Sequence, residues 1–78
     1  MFQQKWNMPK LYSSSEILKV LQRHGFSFIS QNGSHIKYRK VGNPTLTVII
    51  PADRKQTPSG TFHSILKQSG LSKEDFEK

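Results

Sequence analysis

Apolar residues recur at helical spacing soon after the start of the chain. Ser13 and Glu16 stand three residues apart, as in a capping box, and Ile17 and Leu21 follow on one helical face. Gly25 can take the left-handed backbone conformation that ends a helix. These positions predict a first helix between Ser13 and Gly25.

A second helical pattern occupies the last third of the chain. Thr57 is expected to cap this helix, with Pro58 at its first position, and Gly70 is expected to end it. The stretch 72–75 (Ser-Lys-Glu-Asp) forms another capping-box pattern. We therefore expect a second helix followed by a short C-terminal one.

Between the two helices the hydrophobic period changes from 3.6 to two. Asn32-Gly33 supplies the residues of a tight hairpin turn, residues 42–44 (Gly-Asn-Pro) supply a second turn, and Pro51 ends the last strand. The pattern predicts an α+β fold of order α-β-β-β-α, with a three-stranded antiparallel sheet and two helices on one face. The sheet residues expected to be buried under the helices are Phe28, Ile36, Tyr38 and Val48.

Length and composition define the class of protein. Residues 1–12 show no periodicity and are interpreted as an N-terminal extension, and residues 13–78 as a single domain. The absence of cysteine excludes disulfides and cysteine-based metal sites, and is compatible with a reducing cytoplasm. No apolar stretch approaches the ~20 residues of a membrane span, so we expect a soluble, cytoplasmic protein.

The charge balance is strongly positive. Twelve lysines and arginines stand against five acidic residues, a net charge of +7. Three of the five acids, Glu74, Asp75 and Glu77, lie among the last five residues. The remainder of the chain is suited to a polyanionic partner: RNA, DNA or an acidic protein.

Three histidines are the candidates for proton transfer near neutral pH. His24 is expected to cap the first helix, and His63 to lie on a solvated helix face. His35 follows the hairpin turn and alternates with Lys37 and Arg39, so it is displayed in a cationic neighbourhood that suits phosphate. An exposed histidine without a catalytic role fits this spacing equally well. The scattered histidines and sparse acids favour no metal site, and no cofactor is expected.

Five segments together resemble the HicA (YcfA-like) toxin family over about residues 8–76. They are residues 13–18 (SSSEIL), 24–26 (HGF), 31–35 (QNGSH), 48–51 (VIIP) and 60–72 (GTFHSILKQSGLS). The resemblance implies a double-stranded-RNA-binding-like fold and an mRNA interferase toxin, an RNA endonuclease neutralised by a HicB-type antitoxin. The family's catalytic histidine falls on His35. Many members carry a second histidine where this chain has Ile36, and often another where it has Asp53.

RNA carries its own nucleophile, the ribose 2′-hydroxyl, so cleavage needs a base, cations and a proton donor. We expect neutral His35 to be the base in a metal-independent reaction on mRNA, with Lys37 and Arg39 holding the phosphate. The other residues expected to contact RNA are Gly33, Ser34, Arg54 and Lys55. Two alternatives remain: a non-catalytic RNA-binding module of the same fold, and a protein-interaction module whose basic face meets an acidic partner.

Overall fold

A computed structural model describes residues 10–77. Its elements are α1 (Ser14–Arg23), β1 (Ser27–Asn32), β2 (His35–Lys40), β3 (Leu46–Pro51), α2 (Ser59–Ser69) and α3 (Lys73–Phe76). The strands form one antiparallel sheet in the order β1-β2-β3. The α+β class, the element order and the meander topology are as the sequence predicts.

The predicted capping box at the start of α1 is confirmed. The Glu16 N–H donates to Ser13 Oγ at 3.1 Å, and the Ser13 N–H donates to Glu16 Oε1 at 2.9 Å. The hydrogen bond from the Ser13 backbone is the main cause that lowers the pKa of Glu16. The resulting stabilisation is complete above the pKa of this group in the unfolded chain and is lost as pH falls through the lowered value.

Glycines end both long helices, as predicted. Gly25 takes φ +93° and Gly70 takes φ +73°, both in the left-handed region. After Gly25, the Phe26 N–H turns back to donate to Leu21 O at 3.0 Å, and the Phe26 ring is buried. This closure directs the chain from α1 into β1.

The start of α2 differs from the prediction. The helix begins at Ser59, Pro58 occupies the capping position, and no side chain caps the helix. Thr57 is fully buried, and its Oγ1 has no hydrogen-bond partner among residues 10–77. The Thr57 N–H donates to Tyr12 O at 2.8 Å, and this bond holds Thr57 against the chain that precedes α1. The predicted capping role of Thr57 is therefore wrong.

The first hairpin turn lies one residue later than predicted. Asn32 already pairs with His35, so the two turn residues are Gly33 and Ser34. Gly33 has φ +61°, whereas Asn32 and Ser34 do not take positive φ. A two-residue turn with glycine at its first central position needs positive φ there alone, which explains the shift.

The core lies between the helices and strands β2 and β3. Val48, Ile50 and Ile65 are fully buried, and Ile36 and Tyr38 are buried as predicted. Three aromatic rings close the core beside α3, with centroids 5.0 to 5.7 Å apart: Tyr12, Phe62 and Phe76. The core thus includes Tyr12, which the sequence pattern assigns to the extension; residues 1–9 of that extension lie outside the described residues.

Phe28 is the clearest departure from the predicted core. It is 57% exposed, and its ring meets Tyr38 edge-on with centroids 6.1 Å apart. Every residue of β1 is exposed. Both α1 and α2 contact β3 at the far edge of the sheet, and α3 packs on α1, so the helices leave β1 outside their cover. The prediction that Phe28 is buried is wrong for this reason.

We expect Gly25→Ala to destabilise the protein by about 1–2 kcal/mol, because φ +93° is unfavourable for a residue with a Cβ. The new Cβ would also lie 3.4 Å from Lys40 Cε. Gly60→Ala is the matched control: its Cβ meets open space in α2, and we expect a gain of up to about 1 kcal/mol. Urea denaturation measures both. Equal effects of the two substitutions would contradict the role of Gly25 in ending α1.

Candidate active site

His35 is the first residue of the central strand. Across the sheet it pairs with Asn32 of β1 on one side and with Pro51 of β3 on the other. Its side chain is exposed. The glycine turn at Gly33 positions it, because β2 can start immediately after a two-residue reversal of the chain. An imidazole at this place is accessible to solvent and to a polymer lying across the sheet.

Three residues of β2, which we name the basic row, share one face of the sheet: His35, Lys37 and Arg39. They alternate with the buried Ile36 and Tyr38, so they lie on the face opposite the helices. Residues two apart on a strand are roughly 6–7 Å apart, which is close to the spacing of successive phosphates in a nucleic-acid strand. The sequence prediction that these three side chains share a face agrees with the strand register.

The two cations of the basic row are held differently. Arg39 Nε donates to Thr47 Oγ1 at 3.3 Å, a contact between directly paired residues of β2 and β3. This bond uses one of the five guanidinium N–H groups and fixes the direction of the side chain. Lys37 pairs with Ser30 and Ile49, neither of which carries charge. Within residues 10–77 the ion pair that forms is Lys10 with Glu16, so the basic row keeps its positive charge.

Arg54 and Lys55 lie in the loop after β3 and are exposed. The loop begins at the same end of the sheet as His35, because Pro51 pairs with His35 and the Ala52 N–H donates to Ser34 O at 2.7 Å. The predicted RNA-contacting residues of the hairpin turn and of this loop therefore share one end of the fold. Arg39 lies toward the opposite end of β2.

Ser14 holds that loop in place, a role that sequence reasoning did not find. Its buried hydroxyl donates to Pro51 O at 2.6 Å and accepts from the Arg54 N–H at 2.9 Å. The Ser14 N–H donates in turn to Arg54 O at 2.9 Å. Two of these hydrogen bonds fix the backbone of Arg54, and the third fixes that of Pro51, to the first residue of α1. No local signal marks this serine among its neighbours, because its partners lie about forty residues further along the chain.

The two positions at which the chain departs from the histidine pattern have different surroundings. Ile36 is buried against the helices, so a side chain at that position points away from the basic row. Asp53 is exposed and takes φ +56°, two residues after the strand partner of His35. Within the described part of the chain no three His, Asp or Glu side chains come together in a way that could hold a metal ion.

The family model described as "HicA toxin of bacterial toxin-antitoxin" matches residues 14–71, well over half of the 78 residues. The chain belongs to the HicA toxin family. Membership implies a toxin that works with an antitoxin partner. The match begins at the serine that anchors the Arg54 loop and ends just after the glycine that closes α2. No curated protein matches the chain in a sequence search. None of the HicA chain's helices within residues 10–77 is long and apolar enough to cross a bilayer.

We expect Ser14→Ala to destabilise the HicA fold by about 1–3 kcal/mol, because it leaves the half-buried Pro51 carbonyl and the Arg54 N–H without their partner. Ser15→Ala removes the same group from the next, exposed position of α1 and should change the stability by less than about 0.5 kcal/mol. Thermal unfolding compares the two variants. If the two variants have the same Tm, the Ser14 hydroxyl does not anchor the loop.

Proposed function

We propose that this HicA toxin is a metal-independent endoribonuclease that cuts mRNA in the cytoplasm, and that a HicB-type antitoxin neutralises it. The observation that carries the proposal is the basic row: an exposed imidazole stands on the same sheet face as two cations that no described acid neutralises. A base and cations that bind the phosphate are two of the three components that cleavage through the ribose 2′-hydroxyl requires, and the third is a proton donor for the 5′-oxygen.

In this mechanism His35 acts as the general base. Neutral imidazole removes the proton from the 2′-hydroxyl, and the resulting oxygen attacks the adjacent phosphorus. The bond from phosphorus to the 5′-oxygen breaks, and the leaving oxygen takes a proton from solvent water at this exposed site. A positioned base of this kind contributes about 10²–10⁴-fold to the rate. Exposure on an open strand suits this role, because a polymer substrate can reach the ring without any movement of the protein.

Lys37 and Arg39 supply the electrostatic part. Charge develops on the non-bridging phosphate oxygens during attack, and a nearby cation stabilises it more in the transition state than in the ground state. Arg39 is directed by Thr47 and keeps further N–H groups for the substrate, whereas Lys37 lies next to His35 on the strand face. Lys37 is the closer of the two to the reacting phosphate.

Gly33, Ser34, Arg54 and Lys55 complete the RNA contact at the His35 end. The turn and the loop approach each other through the Ala52 to Ser34 hydrogen bond, so they form a continuous edge beside the imidazole. Arg54 and Lys55 are exposed and suited to backbone phosphates, which bind without regard to sequence. The loop keeps its shape through Ser14.

The runner-up is an RNA-binding module that does not cut, and one observation favours it. Asp53, rather than a histidine, follows β3 at the end of the sheet where His35 lies. This position therefore offers no imidazole that could protonate the leaving 5′-oxygen. Binding without cleavage would use the same cations and show the same dependence on salt.

We expect His35→Ala to lower the rate of RNA cleavage by about 10²–10⁴-fold while RNA affinity changes little, since a base acts in the reaction and the cations act in binding. His24→Ala is the control, because it removes an imidazole at the end of α1 and should leave the rate unchanged. Gel-based cleavage and fluorescence anisotropy measure the two quantities. Unchanged cleavage by His35→Ala would exclude the histidine mechanism, and no cleavage by the unmodified protein would favour the binding module.

We expect a 2′-deoxy substitution on the 5′ side of the cut to abolish cleavage of an oligoribonucleotide, because the attacking oxygen is then missing. The same oligonucleotide in its all-ribose form should be cut equally fast with and without EDTA. Mass spectrometry of the fragments is the measurement, with a 2′,3′-cyclic phosphate expected on the 5′ fragment. Loss of activity on chelation would contradict the metal-independent reaction.

A further inference from the structure

A second cationic site lies beside the start of α2, apart from the basic row. It is a small cavity of about 100 Å³ between the chain before α1, the first turns of α2 and the start of α3. The floor is apolar and includes the buried rings of Tyr12 and Phe62, with centroids 5.2 Å apart. The residues that line the cavity are Lys10, Leu11, Tyr12, Thr57, Ser59, Phe62, His63 and Lys73.

The lining of this cavity includes basic side chains and, within residues 10–77, no acidic ones. His63 and Lys73 are exposed at its rim. Lys10 lines it as well, but its ammonium pairs with Glu16 at 3.5 Å. The cavity therefore offers an imidazole and an unshared ammonium above an apolar floor, where an anion gains more from a nearby cation than it would in open water.

Two hydroxyl groups add hydrogen-bonding capacity. Thr57 is fully buried, and its Oγ1 has no partner among residues 10–77 although it belongs to the cavity wall. A buried hydroxyl without a partner in the protein is unusual and keeps its hydrogen-bonding capacity for a group from outside the chain. Ser59 is the first residue of α2, a helix that has no capping side chain and no acidic residue in its first turn. The positive end of this helix is thus left available to an anion.

The cavity and His35 lie on the same end of the fold. Ala52 is hydrogen-bonded to Ser34, next to His35, and Thr57 follows five residues later in the cavity wall. Five extended residues cover at most roughly 18 Å, and a strand of several nucleotides spans that length. The exposed Arg54 and Lys55 lie on this connection. The exposed Asp53 lies there too, so the connection keeps a net positive charge. A nucleic-acid strand whose reacting phosphate lies at His35 can therefore reach the cavity along a connection that is positive overall.

We propose that this cavity is a phosphate-binding subsite, in which His63, Lys73, Ser59 and Thr57 take a single phosphate group of the RNA strand several nucleotides from the cut. This assignment of the occupant rests on the proposed ribonuclease function. The shared chemistry is a phosphate group, which a small free phosphorylated molecule also carries.

The first experiment titrates inorganic phosphate into the isotope-labelled protein and follows backbone amide signals by NMR. We expect saturable shifts at Ser59, His63 and Lys73, with a Kd of about 1 mM, in the range typical of a weakly held small ion. The double variant His63→Ala/Lys73→Ala should lose them. Lys19→Ala, which removes one exposed positive charge from α1, should keep them. Both altered side chains of the double variant are exposed, and Lys73→Gln is a milder alternative if it does not fold.

The second experiment separates the two sources of phosphate and is carried out on His35→Ala, which binds RNA without cutting it under the proposed mechanism. We expect a single-stranded oligoribonucleotide to displace inorganic phosphate from the cavity, and the added His63→Ala/Lys73→Ala changes to weaken RNA binding about tenfold, against less than about threefold for Lys19→Ala. If phosphate binds while RNA affinity is unaltered, the occupant is a small phosphorylated molecule and the assignment to RNA is overturned.

Failure of this proposal is distinguishable from failure of the proposed function. Absence of saturable shifts, or equal shifts in the double variant, would overturn the subsite even if His35 cleaves RNA. Conversely, a protein that does not cleave RNA would still show the phosphate shifts, because the NMR titration involves neither His35 nor an RNA substrate.

Discussion

The alternation of β2 is the constraint on which the rest of the molecule depends. Ile36 and Tyr38 must lie under the helices, and the two-residue period then places the basic row on the opposite face. A shift of pairing by a single residue would bring an imidazole and two cations into the core. The same burial that stabilises the sheet therefore displays the chemistry, so the site needs no separate scaffold.

Local signals were sufficient for much of the fold. The Ser13–Glu16 box and the glycines at 25 and 70 act within a few residues of themselves, and each of these predicted helix ends is confirmed. The hairpin turn is displaced by one residue for a local reason, whereas two other failed features depend on distant parts of the chain. Thr57 is held by a bond to Tyr12, and Phe28 is exposed because both helices contact β3. Neither cause can be seen in a window of sequence.

The residues of the candidate site also separate into those that local sequence patterns predict and those whose placement depends on distant contacts. His35, Lys37 and Arg39 were predictable as neighbours, because period two and a hairpin turn are short-range patterns. The proximity of the Arg54 loop to the His35 end arises from strand pairing and from Ser14, which bonds to residues about forty positions away. The cavity beside α2 combines three separate segments of chain, so no motif could have indicated it. The roles of these residues in RNA cleavage remain predictions.

The uncovered strand β1 has a consequence for how copies of this protein behave toward one another. Its outer edge offers backbone groups that another strand could pair with, and it exposes Phe28 and Ile29 without a lysine or proline to discourage such pairing. The register of β1 is interrupted between Phe28 and Ser30, which disturbs the edge, and the net charge of +7 adds to this protection because two identical chains repel each other. Salt shortens the range of that repulsion from ~10 Å at 0.1 M to ~3 Å at 1 M. A bound polyanion would neutralise the positive charge. The class of ligand that this charge attracts would therefore also lower the electrostatic repulsion between the β1 edges of two copies.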